Sequence, residues 1–164
     1  MIPFVRRADG VHLTLSSGER AVLDSLTTQL IQILGDGLAA DPAVTRLFPQ
    51  AYRDDPEASA EFRRYTLDDL QAQKAANARM VHDRLTGAVS GPFDREAEQA
   101  WLRCLTDLRL IIAERLGIAD SDPEDVDPEE TESDGASSAG VGLRDVYDWL
   151  GFIQEHLIDT LQGR

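Results

Sequence analysis

Three histidines, one cysteine and a few close carboxylate pairs are the side chains of this 164-residue chain that could carry chemistry. His12, His82 and His156 fall on three separate predicted elements, each exposed or at a helix edge, so a three-histidine metal site would need three elements to converge. Glu155 and His156 are adjacent, but no second histidine follows at the spacing a metalloprotease helix requires, and neither copy of a ferritin-type Glu-x-x-His pair exists. The pairs Asp68/Asp69 and Glu96/Glu98 sit near helix starts, where carboxylates complement the helix dipole or pair with Arg at i, i+4. Serines lack a GxSxG setting, and no glycine-rich phosphate loop is present. The pattern therefore predicts no catalytic residue, no metal site and no cofactor.

Cys104 lies three residues after Trp101 and four before Leu108, which places it on the apolar face of a helix. A buried thiol behaves as a small hydrophobe, since apolar surroundings suppress the thiolate. As a redox thiol it would have only a mixed or intermolecular disulfide open to it, because one cysteine excludes an internal disulfide and a thiolate-based zinc site.

Acidic side chains outnumber basic ones by 30 to 16, a formal charge of −14. This balance argues against direct nucleic-acid binding, which needs clustered Lys and Arg. The acid is concentrated: nine carboxylates and no base lie between 119 and 140, and removing those nine from −14 leaves −5 for the rest. With Pro123, Pro128 and a GASSAG tail, that stretch cannot offset its chain entropy and is expected to be a disordered loop. It is either a tolerated insertion or an acidic decoy for a basic partner.

The elements that must position these residues follow from periodicity. Val11, Leu13 and Leu15 alternate with polar neighbours as in a half-buried strand, and Phe4 to Ala8 is a partner strand. Asp9-Gly10 then forms the turn of a hairpin over about 3–15, with Phe4 facing Leu15 and Arg6 facing Leu13. A lone hairpin is marginal, so it should lie on the helical body or pair with another chain, as in a homodimer. Helices are expected over about 17–34, 42–48, 56–85, 95–116 and 143–162. Ser16 and Glu19 have capping-box spacing, Asp94 caps the fourth helix, and Gly35, Gly117 and Gly163 close three of them. The fold class is mainly α: one domain over 1–164, a bundle of four to five helices with an N-terminal hairpin. No apolar run reaches the roughly 18 residues of a membrane helix, and the opening residues lack a signal peptide's apolar core, so a cytoplasmic protein is expected.

The helix over 56–85 is under-hydrophobic. Phe62, Tyr65, Ala72 and Ala76 make one thin stripe, and Leu70, Val81 and Leu85 share another with Lys74 and Asn77. Thr66 and Asp69 could cap a restart there. Such a helix either covers a core through small alanine contacts or faces a partner. Arg63, Arg64, Lys74 and Asn77 are the candidate contact face, with Arg79 and Arg84 adding basic charge.

Three segments taken together, AYRDDPEASAEFRRYTLDDLQAQKAAN (51–77), WLRCLTDLRLIIAERLG (101–117) and VYDWLGFIQEHLIDTL (146–161), with the opening VRRADGVHLTL, resemble the actinobacterial AosR-like family, long catalogued as a domain of unknown function. The resemblance implies an oxidative-stress regulator that associates with an extracytoplasmic-function sigma factor, and so with RNA polymerase, to activate genes of thiol and cysteine metabolism. Sensing in that family's characterised branch uses a close cysteine pair. Cys104 stands alone here, so no sensing residue carries over. The alternatives are a structural or adaptor protein of protein turnover, and a small-ligand protein with a deep pocket ringed by His, Asp or Arg.

Overall fold

The computed structural model describes residues 2–36, 47–48, 67–117 and 138–163. Two strands, β1 (Phe4–Arg7) and β2 (Gly10–Leu13), are followed by four helices: α1 (Ser17–Asp36), α2 (Asp68–Thr86), α3 (Arg95–Leu116) and α4 (Ser138–Gln162). Each helix packs on the next, α1 also reaches α3, and β1 lies against α4. Among the described residues no helix is long and apolar enough to cross a membrane.

The helix starts follow from side chains that satisfy otherwise orphaned backbone donors. At α1, the Glu19 amide donates to Ser16 Oγ at 3.3 Å and the Ser16 amide to Glu19 Oε2 at 3.1 Å, the reciprocal pair expected from their spacing. At α3, the Ala97 amide donates to Asp94 Oδ1 at 2.7 Å. Gly117 ends α3 at φ 69°, a left-handed conformation that a side chain would disfavour. Buried Leu23, Thr27, Leu30 and Leu34 recur every three or four residues along α1 and form its inward stripe.

Two boundaries differ from expectation. Helix α4 begins at Ser138, five residues before 143, so Gly140 and Gly142 lie within it, each at a cost of about 1 kcal/mol relative to Ala. Helix α1 runs to Asp36, one residue past the glycine expected to stop it. The expected helix over 42–48, the 56–66 half of the long helix and the acidic stretch over 119–137 lie outside the described residues, apart from Leu47 and Phe48, which are buried.

The hairpin forms in a different register. Phe4 pairs with Leu13, Val5 with His12, Arg6 with Val11 and Arg7 with Gly10, so the turn is Ala8-Asp9 and the expected facing of Phe4 with Leu15 and of Arg6 with Leu13 does not occur. Gly10 is a glycine for a different reason. Its φ is 138°, and a Cβ there would stand 3.0 Å from Pro92 Cβ, so the loop before α3 closes against bare backbone. That loop also pairs with the strand, because the Phe93 amide donates to the Val11 carbonyl at 2.8 Å.

The hairpin is held to the helical body by an aromatic cluster. Phe4, 1% exposed, meets Phe93 and Trp101 edge to face at centroid distances of 6.0 and 5.7 Å and stacks on His156 at 6.3 Å. Arg6 adds a directional tie by donating to the carbonyls of Thr160 and Leu161, at 3.0 and 2.7 Å, where the α4 dipole favours positive charge.

Candidate binding grooves on either side of α3

Helix α3 is the central element, and its two flanks are built differently. On the α2 side, residues 70, 73, 74 and 77 share one face of α2 at helical spacing, as 102, 103, 106 and 107 do on α3. They line a groove of about 530 Å³ made by Leu70, Gln73, Lys74, Asn77, Leu102, Arg103, Thr106 and Asp107. Lys74 Nζ donates to Asp107 Oδ1 at 2.7 Å, tying the helices together. Gln73 Nε2 donates to Asn77 Oδ1 at 3.1 Å.

This arrangement corrects the exposed-face expectation. Asn77 is buried at 4% exposure and Lys74 is half-buried, so both point into the seam with α3. Arg84 is buried as well, donating to the Gly91 carbonyl at 2.7 Å with its guanidinium 4.1 Å above the Phe93 ring. Ala72 and Ala76, the thin stripe of the sequence reading, are exposed. The mixed stripe wins because Val81 and Leu85 need burial, and helical geometry brings Asn77 and Lys74 with them. Arg63 and Arg64 lie outside the described residues.

Asp107 is the acid of this site. Burial pushes its carboxyl above the usual carboxylate range, against the opposing pull of Lys74. Its Oδ2 has no hydrogen-bond partner among the described residues. Cys104, one turn away, is fully buried, and desolvation followed by the nearby Asp107 charge pushes its thiol up, away from thiolate. The thiol is thus a core side chain, as its spacing predicts.

On the α4 side the contacts are apolar, crossed by one cation whose partners are neutral. Leu150, Ile153 and Leu157 of α4 are fully buried, as are Trp101 and Leu105 of α3. Arg109 crosses this seam: it donates to Gln154 Oε1 at 3.0 Å and to Tyr147 Oη at 3.4 Å, and its guanidinium lies 4.9 Å from the Tyr147 ring centroid. Gln154 completes the net, donating to Thr106 Oγ1 at 2.6 Å and to the Leu102 carbonyl at 3.3 Å. Gly151 leaves room for it, since a Cβ there would meet the guanidinium at 3.4 Å. The outer edge is a second depression of about 500 Å³, lined by Arg109, Tyr147, Asp148, Gly151, Phe152, Gln154, Glu155 and Ile158. Phe152 and Ile158 are exposed at 42% and 38%, large apolar groups at an open surface.

The histidines stay apart: His12 bonds Asp9 at 2.8 Å, His82 bonds Asp24 at 2.6 Å across α1 and α2, and His156 stacks on Phe4. Among the described residues no three His, Cys, Asp or Glu side chains gather as a metal ion would require.

The sequence reading missed Asp107, Arg109, Tyr147 and Gln154 as site residues. Asp107 left a signal, a charge three residues after Cys104 and four before Ile111, inside the α3 apolar stripe. Arg109 and Gln154 left none, because their bond spans 45 residues.

The family described as a domain of unknown function (DUF2017) matches residues 1–161. The chain belongs to that family. No curated protein and no solved structure matches it.

Proposed function

We propose that this DUF2017 protein is a non-enzymatic cytoplasmic regulator that binds a protein of the transcription apparatus, in the manner of the AosR-like sigma-factor-associated regulators its segments resemble. The observation that carries this reading is the surface beside α4. Tyr, Phe and Arg are the residue types enriched where partners dock, and here Tyr147, Phe152 and Arg109 share one depression with exposed Ile158. Its acidic members, Asp148 and Glu155, fit a partner that presents an apolar anchor ringed by basic side chains. The buried, proton-holding Cys104 gives the regulator no ready thiolate, so partner association rather than thiol chemistry is the role assigned here.

Capture with the full-length tagged chain from the native organism, followed by mass spectrometry, tests this. Recovery of a sigma factor or RNA polymerase subunit is expected, with F152S/I158S weakening retention by about tenfold or more, the scale of a lost hot spot. Capture of proteases or chaperones instead, or undiminished retention by the variant, would overturn it.

A further inference from the structure

We propose that the groove between α2 and α3 is a binding site for a small organic anion, a monocarboxylate with a short apolar tail. The site lies on the other flank of α3 from the α4 depression and needs no protein partner. Its volume, about 530 Å³, falls within the range of small-molecule sites. Two of its lining residues are cations, Lys74 and Arg103, and one is an acid, Asp107, so the groove is locally positive in a chain whose formal charge is −14. Arg103 is exposed at the groove edge and makes no hydrogen bond or ion pair to another described residue.

Lys74 is positioned as a donor rather than left as a tether. Asp107 Oδ1 takes one of its three ammonium donors and fixes where the group sits. Asp107 itself is 2% exposed, so of the two partners Lys74 is the one more open to the groove. Leu70 and Leu102 flank the cations and offer an apolar tail somewhere to lie, while Gln73 and Thr106 provide polar edges. An incoming carboxylate would gain charge-assisted hydrogen bonds from Lys74 and Arg103, the stronger class of such contacts.

Titrations of the full isotopically labelled chain, followed by amide chemical shifts, separate headgroup from tail. Hexanoate is expected to give saturable shifts centred on residues 70–77 and 102–107. Hexylammonium should give none there, and inorganic phosphate should bind more weakly than hexanoate. Arg103→Ala, an exposed substitution, should weaken hexanoate about tenfold, the scale of one charged hydrogen bond. K74M/D107L removes both partners of the pair together, which keeps the seam packed, and should abolish the saturable shifts. Hexanoate shifts that are absent, that hexylammonium matches, or that K74M/D107L retains would overturn the assignment.

Discussion

The two flanks of α3 each hold a half-buried cation, yet they do so by different means. Towards α2, the ammonium of Lys74 faces a carboxyl whose second oxygen has no partner, beside a thin apolar contact of Ala78, Val81 and Leu85. Towards α4, the guanidinium of Arg109 is held by a neutral amide, a phenol and an aromatic face, with its Nε left without a partner among the described residues, next to fully buried Leu150, Ile153 and Leu157. Ionised partners in a buried place lose hydration that their attraction only partly returns. Neutral acceptors and a ring impose less of that loss. The α2 flank is therefore the adaptable one, tuned by charge, and the α4 flank the one that anchors the core.

Breaking each flank in turn tests that contrast. The largest effect is expected at the aromatic anchor of the hairpin: Phe4→Ala should cost about 3–5 kcal/mol in urea unfolding, since its ring fills the space between Phe93, Trp101 and His156. Lys74→Met should cost a similar amount, about 3–5 kcal/mol, by stranding the buried Asp107 charge, whereas K74M/D107L should return to within about 1–2 kcal/mol of the wild type. A double variant no better than Lys74→Met would mean that the pair contributes packing the two apolar groups cannot replace.

The raised proton affinity of Asp107 fixes the sign of a pH effect. A carboxyl that binds its proton more tightly when folded gains stability as pH falls through its folded value towards the ordinary one, and loses it as pH rises. The unfolding free energy of the wild type relative to K74M/D107L should therefore increase on acidification from neutral; a difference that shrinks would refute the buried placement of this acid. On the other flank, Gly151→Ala should change stability by no more than about 1 kcal/mol, because the helix propensity gained offsets a small shift of the Arg109 guanidinium. Cys104 should react with alkylating reagents only as fast as the chain opens, and rapid labelling of the native protein would show that its seam is looser than its burial indicates.

What was legible in the residues was local. The capping box at Ser16 and Glu19, the Asp94 cap, the Gly117 stop and the α3 stripe of Trp101, Cys104, Leu105 and Leu108 were all readable, because each depends on neighbours within a turn or two. So were the helical bundle and the hairpin. The strand register was not: it follows from Phe4 entering an aromatic cluster contributed by three other elements and from Gly10 meeting Pro92, contacts across many tens of residues that outweigh the turn preference of Asp9-Gly10.

Which side of α2 faces inward was likewise ambiguous in one dimension, since two weak stripes competed on the same helix. Packing against α1 and α3 chose the stripe with Val81 and Leu85, and so drew Lys74 and Asn77 out of the solvent and into a groove with Asp107. Periodicity reports how often an apolar side chain recurs, whereas the partner opposite it belongs to another segment. For that reason the sequence by itself determined the helices and their caps, and only the tertiary structure decided that a lysine expected on the surface would be paired with a buried acid.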